Sequence, residues 1–82
     1  MTSEKLNYST DTIALRKKAL ECGINTCAEL ARRSGVNRNT IGKVLNGEEQ
    51  PSANVMYKLI DCLKLSPAQA GVIFFNASLR NA

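Results

Sequence analysis

Few of the side chains able to do chemistry occur in useful groupings in this chain of 82 residues. It has three cysteines, Cys22, Cys27 and Cys62, and no histidine. Their spacing contains no CxxC pair, and three thiols alone fall short of the four Cys/His ligands of a zinc site. A thiol nucleophile needs a base to make the thiolate, and with no histidine there is no obvious candidate. No glycine-rich phosphate loop and no carboxylate pair at an interpretable spacing appears. The chain therefore reads as a non-enzyme, with no cofactor, metal or small-molecule ligand implied. Cys22 and Cys62 lie within apolar patterns, where a free thiol packs as a small hydrophobe.

The charges are more informative. The net charge is +4, but it is unevenly placed. Within residues 12–47, seven basic residues (Arg16, Lys17, Lys18, Arg32, Arg33, Arg38 and Lys43) face only Glu21 and Glu29, a net charge of +5. The first residues are slightly acidic and residues 48–82 are neutral. A solvated, lysine-rich face would look much the same. A localised basic excess is also the electrostatic footprint of a phosphate-binding surface.

Elements that would position these charges follow from the apolar spacing. Residues 1–10 show no periodicity and read as a flexible arm. Residues 11–82 read as one domain, since a chain this long has room for no more. Asp11 or Thr10 caps a first helix over 12–22, with Ile13, Leu15 or Ala14, Ala19, Leu20 and Cys22 near the helical period. Thr26 caps a second helix over 27–34, in which Ala28, Leu30 and Ala31 face inward. Asn37 caps a third over 38–46, with Ile41, Val44 and Leu45 on its buried side, and Asn46-Gly47 closes it. Ser52 caps a fourth over 53–64 with the stripe Val55, Met56, Leu59, Ile60 and Leu63. Ser66-Pro67-Ala68-Gln69 has the form of a capping box and opens a fifth helix over 67–79. Val72 to Phe75 would suit a strand in isolation, but the capping box favours helix. The fold class is all-α, a five-helix bundle. The apolar runs are too short to span a membrane, and no signal peptide is evident at the N-terminus, so a cytoplasmic location is expected.

The second and third helices meet the demands of a helix-turn-helix. Two short helices crossing steeply through a tight turn need a small residue at the crossing, here Ala31. The turn needs a residue that tolerates positive φ, here Gly35. Leu30, Val36, Ile41 and Val44 must be apolar to hold the pair on the core. A generic helix pair would satisfy any one of these requirements. All six are met in register between Cys27 and Asn46.

At this point the chain resembles the Cro/CI-type helix-turn-helix regulators of phages and bacteria, the XRE family. The resemblance covers roughly residues 12–65 and is strongest in ELARRSGVNRNTIGKVLNG. It implies a lambda-repressor-like bundle that binds palindromic double-stranded DNA operators as a homodimer. It also implies base contacts from the exposed start of the third helix: Asn37, Arg38 and Asn39, with Lys43 one turn later. Arginine suits the O6/N7 edge of guanine and asparagine the N6/N7 edge of adenine. Thr26, Cys27, Thr40 and Asn46 are the implied phosphate contacts. Gly42, unusual inside a helix, admits either a close backbone approach to DNA or simple tolerance. Two positions depart from the family. Cys27 stands where a DNA-touching Gln is common. Leu45 stands where a Glu often pairs with a first-helix Arg, so an apolar contact with Ala19 or Leu20 is expected instead.

The fifth helix carries more apolar surface than one face of a short helix buries. Val72, Phe74, Phe75 and Leu79 are therefore candidates for a homodimer contact, with help from Met56 and Tyr57. The expected function is that of a transcriptional regulator, a repressor or Cro-like protein. An antitoxin that binds a toxin and represses its own operon is an alternative, as is an interaction module that has lost DNA binding.

Overall fold

Each helix begins where a polar side chain can take up a backbone N–H that the first turn leaves unpaired. In the computed structural model, which describes residues 8–76, five such caps open five helices. Asp11 accepts from the Ala14 N–H and opens α1, Thr12–Glu21. Thr26 accepts from Glu29 and opens α2, Cys27–Ser34. Asn37 accepts from Asn39 and Thr40 and opens α3, Arg38–Leu45. Ser52 accepts from Val55 and opens α4, Ala53–Leu63. Ser66 and Gln69 form a reciprocal capping box at the head of α5, Pro67–Phe74, with Pro67 in the first turn. Among the described residues there is no strand, so the expected all-α class is borne out. No described helix is long and apolar enough to cross a membrane.

One core joins the five elements. Leu15, Leu30, Ile41, Val44, Leu59, Leu63 and Phe74 are fully buried in it, and every helix supplies at least one of them. Burying a side chain of this kind contributes roughly 1.5–3 kcal/mol. α2 packs on both α3 and α4, while α1 packs on α3 and α5. The α2–α3 pair is thus backed by helices on its inner side and open on the other.

The two ends of the described chain close on each other. Ser9 and Asn76 exchange backbone hydrogen bonds of 3.4 and 3.1 Å in an isolated antiparallel bridge. The Asp11 N–H donates to the Ile73 carbonyl at 2.7 Å. The Thr10 hydroxyl, buried, donates to Gln50 Oε1 at 2.9 Å, and Gln50 Nε2 donates to the Phe74 carbonyl at 2.6 Å. Gln50 therefore satisfies a buried hydroxyl and a helix-end carbonyl with one amide, which avoids the cost of leaving either unpaired.

Several expectations change against these facts. Ser9 and Thr10, expected within a flexible arm over 1–10, are held by the contacts just described; residues 1–7 lie outside the described residues. α5 ends at Phe74 rather than running to 79, since Phe75 leaves helical geometry and Asn76 pairs with Ser9. Leu79 lies outside the described residues. Ile13 and Leu20 are 78% and 59% exposed. They stand on the face of α1 opposite the inward positions Leu15, Ala19 and Cys22, which repeat at four and three residues. Ala28 is exposed for the same reason, being two residues from the buried Leu30. Cys22 and Cys62 are half-buried against the core.

Candidate nucleic-acid interface

The turn between α2 and α3 fixes the site. Gly35 adopts φ 78°, a left-handed conformation costly for residues with a Cβ, and its N–H closes α2 on the Ala31 carbonyl. Val36 then drops into the core, and Asn37 starts α3 at once. Ile41, Val44 and Leu45 hold the inner side of α3, while Leu30 holds α2 and Ala31 is half-buried.

The outer side of α3 is left to polar residues. Arg38, Asn39 and Lys43 are exposed on it. Together with Gly42, Cys27, Asn46 and Glu48 they line one shallow concavity. Cys27, at the first turn of α2, is thereby brought beside the exposed face of α3, although sixteen residues separate it from Lys43. Asn37 lies at the exposed head of the helix, but its side-chain Oδ1 already accepts from the Asn39 and Thr40 N–H groups at 2.8 and 3.4 Å. Its amide nitrogen is the part left for another partner. Thr26 lies on the far side of Cys27, in a separate cleft with Arg16, Leu20 and Ile24. Thr40 is half-buried.

The end of α3 is tied to α1. Arg16 Nη2 donates to the Leu45 carbonyl at 2.9 Å and to Asn46 Oδ1 at 3.3 Å. The expected apolar replacement of an Arg–Glu pair is only half of what the structure shows. Leu45 is buried and shares a cleft with Ala19 and Leu20, but a first-helix arginine still reaches the end of α3, through the main chain. Side-chain types at position 45 carry no signal for a bond to a carbonyl.

The charge pattern is narrower than composition implies. Glu29 binds Arg32 and Arg33 at 2.6 and 2.7 Å on the outer side of α2. Hydrogen bonds from these two guanidinium groups hold its carboxyl below the usual carboxylate range, and push Arg32 further up. Lys18 pairs with Glu21 at 3.8 Å and Lys43 with Glu49 at 4.0 Å. Among the described residues Arg38 has no acidic partner within ion-pair distance, and it is the cation at the start of the exposed face. Burial pushes the Cys62 thiol up, which suits a packing role. No group of three potential metal ligands occurs among the described residues.

Reasoning from the sequence missed Arg16, Glu48 and Glu49 as neighbours of this face. The signal available for the two acids is Asn46-Gly47, a turn that sends the chain back beside the helix it has just left.

The interface is that of a helix-turn-helix presenting its second helix, and the comparison with known families agrees. The family model for helix-turn-helix proteins matches residues 15–69, about two thirds of the chain. No curated protein and no solved structure matches it. With α2, the turn at Gly35 and α3 all inside the matched span, the chain belongs to the helix-turn-helix family of Cro/CI-type DNA-binding transcription regulators.

Proposed function

We propose that the chain is a sequence-specific regulator, a repressor or Cro-like protein, that reads the major groove of a palindromic operator with α3. The observation that carries this reading is the exposed face of α3. It offers Arg38, Asn39 and Lys43 around a glycine, while Ile41, Val44 and Leu45 anchor the opposite side. A major groove admits one α-helix, and the N-terminal residues of a recognition helix are those that meet base edges. Arg38 takes a guanine edge, Asn39 an adenine edge, and Lys43 a base one turn deeper. Asn37 supports them as the cap and contributes its amide nitrogen. Thr26, Cys27, Thr40 and Asn46 are assigned to phosphates. For Cys27 the weak thiol donor is supplemented by the N-terminus of α2, whose free N–H groups favour an anion.

Pairing of two copies supplies the second half-site. Val72 and Phe75 are exposed on and just after α5. Tyr8 stands edge-on to Phe75, with ring centroids 5.4 Å apart, and extends the same patch. Phe74 does not belong to it, being fully buried in the core. A twofold pair would set two copies of α3 about 34 Å apart, one helical turn of DNA.

Selection of bound sites from a random duplex library tests the reading. The expected result is a palindrome whose half-sites are one turn apart. Recovery of no preferred sequence would overturn it, and a single asymmetric site would overturn the pairing.

A further inference from the structure

The turn after α3 places two carboxylates where neither the helix nor DNA binding favours them. Gly47, at φ 74°, lets the chain double back, so that its N–H reaches the Val44 carbonyl at 3.1 Å and the Glu48 N–H reaches the Lys43 carbonyl at 2.8 Å. This pair of bonds is a Schellman closure, and it sets the backbone of Glu48 beside Lys43. The far end of the loop is held by Gln50, bonded to Thr10 and Phe74, and by the buried Pro51. Between these anchors Glu49 Oε1 lies 4.0 Å from Lys43 Nζ, and Glu48 Oε2 accepts from Asn46 Nδ2 at 3.5 Å. Acidic side chains at a helix C-terminus oppose the helix dipole. Beside a phosphate-binding face they also repel the ligand.

We propose that Glu49, seconded by Glu48, is a built-in brake on the recognition helix: it holds Lys43 in the DNA-free protein and must release it before Lys43 engages DNA. The proposal rests on the assignment of α3 to DNA. On an unrelated duplex Lys43 has only a phosphate to gain and a carboxylate to give up, so the exchange is close to neutral. On the operator a base contact is added, and the exchange goes forward. The acidic loop thereby lowers affinity for any duplex that engages Lys43, by the strength of the pair that must be broken.

The test is binding of Glu49→Gln and of the Glu48→Gln/Glu49→Gln pair to a labelled random-sequence duplex between 50 and 200 mM salt. Each is compared with the parent protein, after all are shown to be fully folded at the assay temperature. Two unit charges at 4 Å in water are worth about a factor of five, so Glu49→Gln is expected to tighten binding about fivefold. Its salt dependence should steepen by about 0.9 in log–log slope, as for one more neutralised phosphate. In a Lys43→Gln background the gain from Glu49→Gln should vanish. Unchanged affinity in a variant of a protein that does bind duplex overturns the brake alone. An equal gain in the Lys43→Gln background also overturns it, since the acid would then act by general repulsion. Absence of duplex binding by parent and variants alike overturns the brake together with the DNA assignment.

Discussion

Arg16 reaches from the first helix to the main-chain carbonyl of Leu45, 2.9 Å away, at the last residue of α3. A charged donor on a carbonyl that the helix itself leaves unpaired is worth more than a neutral bond, though partial exposure reduces it. Arg16→Ala should destabilise the domain by about 1 kcal/mol, a fall in Tm of roughly 4–8 °C for a domain of this size. It should also weaken duplex binding across sequences, because Asn46 loses its second tether. Arg16→Lys should recover part of both. A melting curve that matches the parent would remove the assigned role.

On the proposed function, Arg38 is the side chain that reads a guanine edge. Arg38→Ala should cost about 1–3 kcal/mol of operator affinity and relax preference at one position of each half-site. Binding profiles over single-base operator variants check this. A uniform loss over all variants would move Arg38 to the phosphates.

Gly42 distinguishes folding from docking. A Cβ built there meets nothing within 4 Å, and its backbone is helical, so Gly42→Ala should stabilise the protein by up to about 1 kcal/mol. Because Gly42 lines the concavity with Arg38 and Asn39, the same change should weaken operator binding. Higher Tm with unaltered affinity would show that the glycine is merely tolerated.

Neighbouring residues at the end of α5 should behave as opposites. Phe74 is fully buried, and Phe74→Ala should cost about 3–5 kcal/mol, enough to unfold much of a marginally stable domain. Val72 is 60% exposed, and Val72→Ser should leave the melting curve nearly unchanged while shifting sedimentation towards the monomer. Parent and Val72→Ser proteins that sediment alike as dimers would exclude this patch from the pairing.

Glu29 gives a pH dependence of known sign. Its carboxyl titrates lower in the folded protein than in the unfolded chain, because Arg32 and Arg33 favour the charged form. The associated stability is present above the ordinary glutamate range, about 4.3, and is lost as pH falls through the lower folded value. Glu29→Gln should therefore flatten the decline of the urea midpoint below about pH 5. Near neutral pH it should cost little, since the pairs are exposed. An unaltered acid limb would assign that decline to other carboxylates.

What was legible in the sequence was what local chemistry decides. The five caps, the capping box at Ser66 and Gln69, and the left-handed turn at Gly35 each depend on residues within four positions of one another. The core stripes of α3 and α4 were readable because their spacing leaves one arrangement. α1 was harder to read. Its apolar residues occupy both faces, so periodicity alone did not separate Leu15 and Ala19 from Ile13 and Leu20. The contacts of Arg16 with Leu45 and of Gln50 with Phe74 were out of reach, because their acceptors are carbonyls that every residue possesses. For the same reason nothing in the run Val72 to Phe75 announced that Asn76 would turn back to Ser9. The exposed polar face of α3 was legible as residue types, whereas its acidic neighbours came from a loop that only the folded turn brings back.

The bridge between Ser9 and Asn76 has a practical corollary for anyone handling the protein. Entry to and exit from the described domain share one corner, beside the Tyr8–Phe75 stack and against the Gly47–Gln50 loop. A fusion partner grafted ahead of Ser9 or behind Asn76 emerges next to the exposed Tyr8 and Phe75. A bulky graft therefore acts as a steric probe of self-association, and a short linker across that corner would permit a new opening of the chain at a surface turn elsewhere.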